Sequence, residues 1–253
     1  MIPKYIALSL VACLYGATLG ATIKRSDDSS IDGFMSARGL IPEGTYQDHD
    51  FPHYFYLEDD QLSTKVIQII LDPFDTNGAG DSARPRNEIT SGDWSDFPYK
   101  ITSKEEDHDF VIRFKFRTEH EIDTGGSTLH VFQLFDDHNP NAVLSFTDDN
   151  DLVFWSPSRD LFDKVVIPYE WEQWLDIEIR FSYGRNCYFD INVKNLDGDL
   201  MNSAKNDIGE YHIQDFQKLK FGLYQIDEKA PPMTFMTRYT DMEFSTDDGN
   251  YYR

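Results

Sequence analysis

Lys218, Lys220, Gly222 and Tyr224 alternate with Leu219, Phe221 and Leu223 in the stretch KLKFGLYQ. Strand side chains alternate between faces. The pattern therefore predicts a strand with one apolar face and one face that carries two ammonium groups, a glycine and a phenol. A second stretch, SARPRNEI, places Arg84, Arg86 and Glu88 on one parity and Asn87 and Ile89 on the other. With Ile89 toward a core, Arg86 and Glu88 point away together. In a third, HVFQLF, Gln133 shares a parity with Val131 and Phe135, and His130 shares one with Phe132 and Leu134. A glutamine among apolar neighbours needs hydrogen-bond partners, and a cleft with a polar ligand supplies them. His130, on the apolar parity, reads as a satisfied core or edge residue. Arg113, Lys115 and Arg117 form a basic stripe opposite Ile112, Phe114 and Phe116. That stripe is either a solvated outer face or the wall of a cationic cleft.

Such cations stand out against the rest of the chain. The 253 residues hold 23 Lys+Arg against 45 Asp+Glu, a formal net charge of −22. An acidic surface avoids nucleic acid and anionic membranes, so neither is expected as a partner. Basic and amide groups gathered on a few strands still make a local positive groove, and that groove attracts an anionic ligand.

The elements that must position these residues are strands. TKVIQIILD (64–72), DFVIRFKFRT (109–118), STLHVFQLF (127–135), NAVLSFT (141–147) and DLVFWS (151–156) alternate with a period of two. So do WLDIEIRFS (174–182), CYFDINVKN (187–195), KLKFGLYQ and FMTRYTDMEF (235–244). They are rich in β-branched and aromatic residues, and turn formers such as TGG, DDHNPN, TDDND, SYGRN and NLDGD separate them. No segment carries a long helical period and no linker divides the chain. The expected fold is all-β: one antiparallel β-sandwich, a jelly roll of the concanavalin A-like kind, over residues 61–253. Residues 26–60 are expected to pack loosely.

The first 20 residues read as a secretory signal peptide: a lysine, an apolar run too short to span a bilayer, then small residues. Residues 21–25 end in the dibasic pair Lys24-Arg25, a candidate processing site. A secreted, extracellular protein is expected. Residues 1–25 hold Lys4, Lys24 and Arg25 and no acid, so their loss takes the charge from −22 to −25. Cys13 leaves with the leader, so Cys187 has no partner, and the fold is not a disulfide framework. No Asn-x-Ser/Thr sequon is present. A monomer is expected.

The stretches SARPRNEI, FQLF and KLKFGLYQ resemble, in the same order, three motifs of the β-jelly-roll polysaccharide lyases. These are an Arg-x-Glu strand often preceded by proline, a Gln-x-His strand and a strand reading roughly Tyr-x-Lys-x-Gly-x-Tyr. Alginate lyases and glucuronan lyases share them. EWEQWLDIEIRFSYG and NVKNLDGDLM look closer to the glucuronan group, and TRYTDMEF resembles its closing strand. The resemblance spans about residues 60–245. It implies a concave sheet that binds a uronic-acid chain and cleaves it by β-elimination. Arg86, Gln133 and Tyr224 would be catalytic. Lys220, Arg84 and Lys218 would bind substrate. Glu88 would hold Arg86, and Gly222 would leave room for a sugar ring.

β-Elimination removes the weakly acidic proton at C5 of a uronate. The neighbouring carboxylate must be neutralised, for which Arg86 and Gln133 are suitable donors. A base takes the C5 proton and an acid gives one to the leaving O4. Tyr224 fits the acid role, and the base role too if Lys220 or Arg86 stabilises its phenolate. The motif's histidine is replaced here: Gln133-Leu134-Phe135 stands where Gln-x-His is expected. Tyr224 working alone, His138, His53, or a protein that only binds all remain open. Two other classes compete. One is a lectin-like sandwich that binds carbohydrate without catalysis. The other is a glycoside hydrolase, which needs paired carboxylates in the cleft. EWEQWLDIE offers Glu170, Glu172, Asp176 and Glu178, but with a spacing that suits an outer strand face. No cofactor is required. Calcium is a candidate ligand of Asp-rich loops such as DDNDL, which are more often solvated turns.

Overall fold

Alternating apolar residues give each strand one face to hide, and two sheets hide those faces against each other. The computed structural model describes residues 40–44, 54–72, 84–91, 108–135, 139–157, 161–211, 218–227, 232–246 and 251–252. The expected leader (1–20), the dibasic segment (21–25), Cys13, His53 and His138 lie outside them.

The front sheet runs β1 (Leu40–Gly44), β4 (Arg86–Ser91), β12 (Lys218–Gln225), β6 (Leu129–Phe135), β7 (Pro140–Phe146), β8 (Leu152–Trp155) and β9 (Val165–Ile167). The back sheet runs β11 (Leu200–Tyr211), β10 (Leu175–Lys194), β5 (His108–Thr118), β13 (Phe235–Thr246), β3 (Thr64–Leu71) and β2 (Tyr54–Asp59). β14 (Tyr251–Tyr252) pairs with β13. Every pairing is antiparallel, and the described residues contain no helix. This is the expected β-sandwich jelly roll.

Aromatic rings fill the space between the sheets. Phe114 of the back sheet meets Phe132 and Phe221 of the front sheet at centroid distances of 5.1 and 5.2 Å. Phe181 stacks on Phe110 at 5.2 Å and on Phe189 at 5.7 Å. All six are at most 3 % exposed. Each such ring contributes about 1.5–3 kcal/mol by leaving water. Two polar ties cross the core near β4. Asn87 Nδ2 donates to Ile70 O at 2.7 Å, and the Tyr54 hydroxyl donates to Glu88 O at 2.9 Å. The segment expected to pack loosely, 26–60, thus supplies β1 to one sheet and β2 to the other, and Tyr54 pins the strand that carries Arg86.

SYGRN is not the turn its composition predicts. β10 passes through it as one strand of 20 residues. Its first half pairs with β5 and its second half with β11, and the register shifts between Gly184 and Cys187. The irregularity is a bulge at a change of partner, which uses the same residue types as a turn.

Cys187 forms no disulfide among the described residues and is 2 % exposed. A thiol-reactive mass label is therefore expected to leave it unmodified in the native protein and to react once denaturant is added. A covalent dimer through Cys187, or labelling of the native state, contradicts this placement.

Candidate functional site

Register assembles the polar face of the front sheet. Lys220 lies opposite Thr90 and Gln133, Gly222 opposite Glu88, and Tyr224 opposite Arg86 and His130. Directly opposed residues share a face. One face therefore carries Arg86, Glu88, Lys220, Tyr224, Gln133 and His130. The other sends Ile89, Leu219, Phe221 and Phe132 into the core. Lys218 pairs with Phe135 in the same ladder, but its side chain is outside the described residues.

Simple alternation predicts His130 on the apolar side, and the structure differs. β6 shifts register against β7 between His130 and Phe132, and β12 shifts against β6 between Phe221 and Tyr224. The extra residue, Val131, lets His130 and Gln133 share a face although they are three apart. A tyrosine of the opposite sheet secures both irregularities. The Tyr239 hydroxyl donates to Val131 O at 2.7 Å and reaches Gly222 O at 3.2 Å. Buried carbonyls need such a partner. Burial pushes the Tyr239 hydroxyl well above its ordinary range, so it stays a donor.

The groups converge on Tyr224. Arg84 Nη1 donates to its hydroxyl oxygen at 3.0 Å. The Arg86 guanidinium lies 5.0 Å from its ring centroid, a cation–π contact. The His130 ring stands 5.8 Å away on the other side. Arg84, Arg86 and Tyr224 are partly exposed, whereas His130 is 2 % exposed. Burial pushes the His130 imidazolium down to about 3, so the ring is neutral at neutral pH. Its Nδ1 meets Ser145 Oγ at 2.6 Å.

The other expected site residues take definite places. Gln133 Nε2 donates to Glu88 Oε1 at 2.5 Å. Gln133 Oε1 is buried and meets no donor among the described residues. The Lys220 ammonium lies 4.7 Å from the Phe135 ring. Phe135, which stands where the motif's histidine is expected, thus holds a site lysine, and His130 enters from three residues before Gln133. At Gly222 φ is +141°, and an added Cβ would lie 2.3 Å from Asn87 O. Glycine is required there by the adjacent strand β4. His130 and Ser145 were beyond reach of a reading by parity, because the bulge that aims the histidine leaves little mark on residue types.

The basic stripe of β5 is not a wall of this face. It lies on the outer side of the back sheet, and each cation has a carboxylate. Arg113 pairs with Glu178 at 2.7 Å, Lys115 with Asp241, and Arg117 with Glu119 at 2.8 Å and Asp59 at 3.7 Å. Asp59 is fully buried. Burial opposes its charge, but Arg238, two backbone N–H groups and Arg117 outweigh that and hold its carboxyl below the usual range. Asp176 and Glu178 lie opposite Lys115 and Arg113 on this same side, so these two carboxylates of EWEQWLDIE face away from the polar face.

The loop DDNDL folds as a turn closed by its own chain. Thr147 N bonds Asp151 O at 2.9 Å, and Asn150 Oδ1 accepts from Thr124 N at 2.9 Å and from Thr124 Oγ1 at 3.0 Å. No group of three or more His, Cys, Asp or Glu that could hold a metal ion occurs among the described residues. Two hollows of about 530 and 440 Å³, the first of them beside β8 and β9, share Asn150, Tyr169 and Glu170. Their linings contain carboxylates and no lysine or arginine, which does not suit an anion.

No protein-family model and no curated protein matches the chain. Solved structures do match in fold. An alginate lyase of polysaccharide lyase family 7, AlgAT5, superposes with a TM-score of 0.54 at 12% identity, over 85% of this chain and 98% of its own. Family 7 alginate lyase A1-II′ in complex with substrate GGMG gives 0.54 at 13% identity, over 83% and 94%. The endo-β-1,4-glucuronan lyase of the fungus Trichoderma reesei gives 0.50 at 12% identity, over 81% and 94%. The chain shares its β-sandwich jelly-roll fold with these polysaccharide lyases.

Proposed function

We propose that this protein is a secreted polysaccharide lyase that cleaves an anionic uronic-acid polysaccharide by β-elimination, glucuronan before alginate. The observation that carries the reading is the Tyr224 hydroxyl, held by Arg84 at 3.0 Å and flanked by Arg86 and His130, on a basic face of an otherwise strongly acidic protein. The names of the similar solved structures agree with it.

Arg86 would sit against the uronate carboxylate and draw off the charge that develops when C5 loses its proton. Tyr224, as its phenolate, takes the C5 proton, the electrons of the C5–H bond form the C4–C5 double bond, the C4–O4 bond breaks, and Tyr224 returns the proton to O4. Arg84 aims an N–H at the phenol oxygen, where charge sits once that proton has gone. Gln133 Oε1, buried without a donor, would accept from a sugar hydroxyl, and its second N–H would face the carboxylate. Lys220, Arg84 and Lys218 would bind further carboxylates along the chain. Glu88 holds Gln133 in place.

The test is ultraviolet absorbance of the 4,5-unsaturated product, run across glucuronan, alginate and pectate. Binding of a polyuronate with no absorbance change on any of them would favour the lectin-like alternative. Arg86→Ala is expected to lower kcat/KM by about 10²-fold, because a preorganised donor to the developing charge is lost. Gln133→Ala is expected to cost about tenfold, since a buried hydrogen bond is worth roughly 1–2 kcal/mol. Both should raise KM as well as lower kcat. Steady-state kinetics separates these effects.

A further inference from the structure

Ser145 is wholly buried on β7, and its hydroxyl has two neighbours: His130 Nδ1 at 2.6 Å and Trp155 Nε1 at 3.4 Å. The indole nitrogen only donates. Among the described residues the serine proton therefore has one acceptor within reach, Nδ1 of His130. If Nδ1 carried the proton instead, the hydroxyl hydrogen would be stranded among donors, and buried hydroxyls are rarely left so.

We propose that Ser145 fixes His130 as the tautomer protonated on Nε2, so that His130 meets the uronate as a hydrogen-bond donor and not as the base that removes the C5 proton. This rests on the lyase reading for the identity of the ligand, but not for the tautomer. Ser145 is a positioning residue: it acts through the ring and touches no substrate. Its place opposite His130 follows from the Val131 bulge, which brings the imidazole over β7. Nδ1 is occupied, and Nε2 occupies the far edge of the ring. The neutrality of the ring, already set by burial, means that one nitrogen carries a proton and the other does not. An Nε2–H on this face adds a donor across Tyr224 from Arg86, near where charge develops in the transition state. The C5 proton then falls to Tyr224, which takes it as the phenolate faced by Arg84 and Arg86 and returns it to O4, ending as the phenolate in which it began.

The first test reads the resting protein by ¹⁵N NMR of the histidine ring nitrogens, with His130 assigned by comparison with His130→Gln. A protonated Nε2 and an unprotonated Nδ1 are expected at neutral pH. The reverse pattern overturns the proposal. Ser145→Ala should turn that single pattern into a mixture of tautomers, and Ser145→Thr, which keeps the hydroxyl, should restore it. An unchanged pattern in Ser145→Ala would show that the hydroxyl does not set it.

The second test is kinetic. A glutamine amide can replace a donor but not a base. His130→Gln is therefore expected to keep turnover within about tenfold, whereas His130→Phe should lose it by about 10²-fold or more. Equal, large losses in both variants, with both folded, overturn the donor role. If the protein releases no unsaturated product from any polyuronate, the lyase reading fails while the ring-nitrogen measurement still decides the tautomer.

Discussion

Tyr224→Phe is expected to abolish turnover, by at least about 10²-fold, while the protein stays folded. The ring remains, and with it the cation–π contact to Arg86 and the packing beside His130. What goes is one oxygen and its hydrogen bond from Arg84. That bond lies at a partly exposed position, so its loss should cost about 1 kcal/mol of stability. The chemical loss is far larger. O4 is a poor leaving group as an alkoxide, and no other described group stands where the phenol does. His130 cannot stand in for it as an acid, because burial keeps the imidazolium down to about 3 and the ring therefore neutral. The measurements are the initial rate of unsaturated product and a thermal melt of each protein. Turnover within tenfold of the parent would remove Tyr224 from the proton-transfer role. A collapsed melt would mean that the Tyr224 hydroxyl is needed for the fold itself.

The strands of this fold are legible because burial on one side imposes a period of two, and that period survives in TKVIQIIL or KLKFGLYQ whatever the partners are. The site is legible only where the period holds. Arg86, Lys220 and Tyr224 sit on uninterrupted ladders between β4 and β12, and parity alone places them together. His130 sits across a bulge, and parity places it on the wrong face. The cause, a tyrosine of another sheet holding Val131 O, is 108 residues away in sequence. Of the two readings of the basic stripe of β5, the outer face is the one the structure shows, and parity could not choose between them for a related reason. Arg113, Lys115 and Arg117 alternate as correctly as Lys218 and Lys220 do, but alternation does not say which sheet a strand joins. Glu178 and Asp241, the carboxylates of Arg113 and Lys115, come from other strands and only the assembled sheet brings them near, whereas Glu119 lies two residues beyond its partner Arg117. β11 carries no period of two in its sequence. LMNSAKNDIGEY mixes polar residues on both parities, as an edge strand with partly exposed sides permits.

Gly222→Ala is expected to destabilise the protein by about 3–5 kcal/mol and to remove activity with it. At Gly222 φ is +141°, a region that L side chains rarely adopt, and the new Cβ would sit 2.3 Å from Asn87 O and 2.6 Å from Glu88 Cα. Both contacts are with backbone, so no side chain can swing aside. β4 and β12 would have to part where Gly222 faces Glu88, between the Lys220–Thr90 and Tyr224–Arg86 pairs. The Tyr239 hydroxyl, which reaches Gly222 O at 3.2 Å, would lose part of its setting in the same move. A loss of this size is a large share of the roughly 5–15 kcal/mol that holds a domain together. It should lower the melting midpoint by about 10 °C, since each kcal/mol moves a domain of this size by about 2–4 °C. Gly126→Ala separates strain from collision. Gly126 also has a positive φ, +79°, but its Cβ would enter open space. It carries only the backbone cost, about 1–2 kcal/mol, and should leave activity intact because it touches neither strand. Equal losses in the two variants would mean that the approach of β4 to Gly222 is looser than described. A folded, inactive Gly222→Ala protein would show that the two strands can part without unfolding. A folded, active one would show that the close pairing of β4 with β12 is not what holds Arg86 over Tyr224.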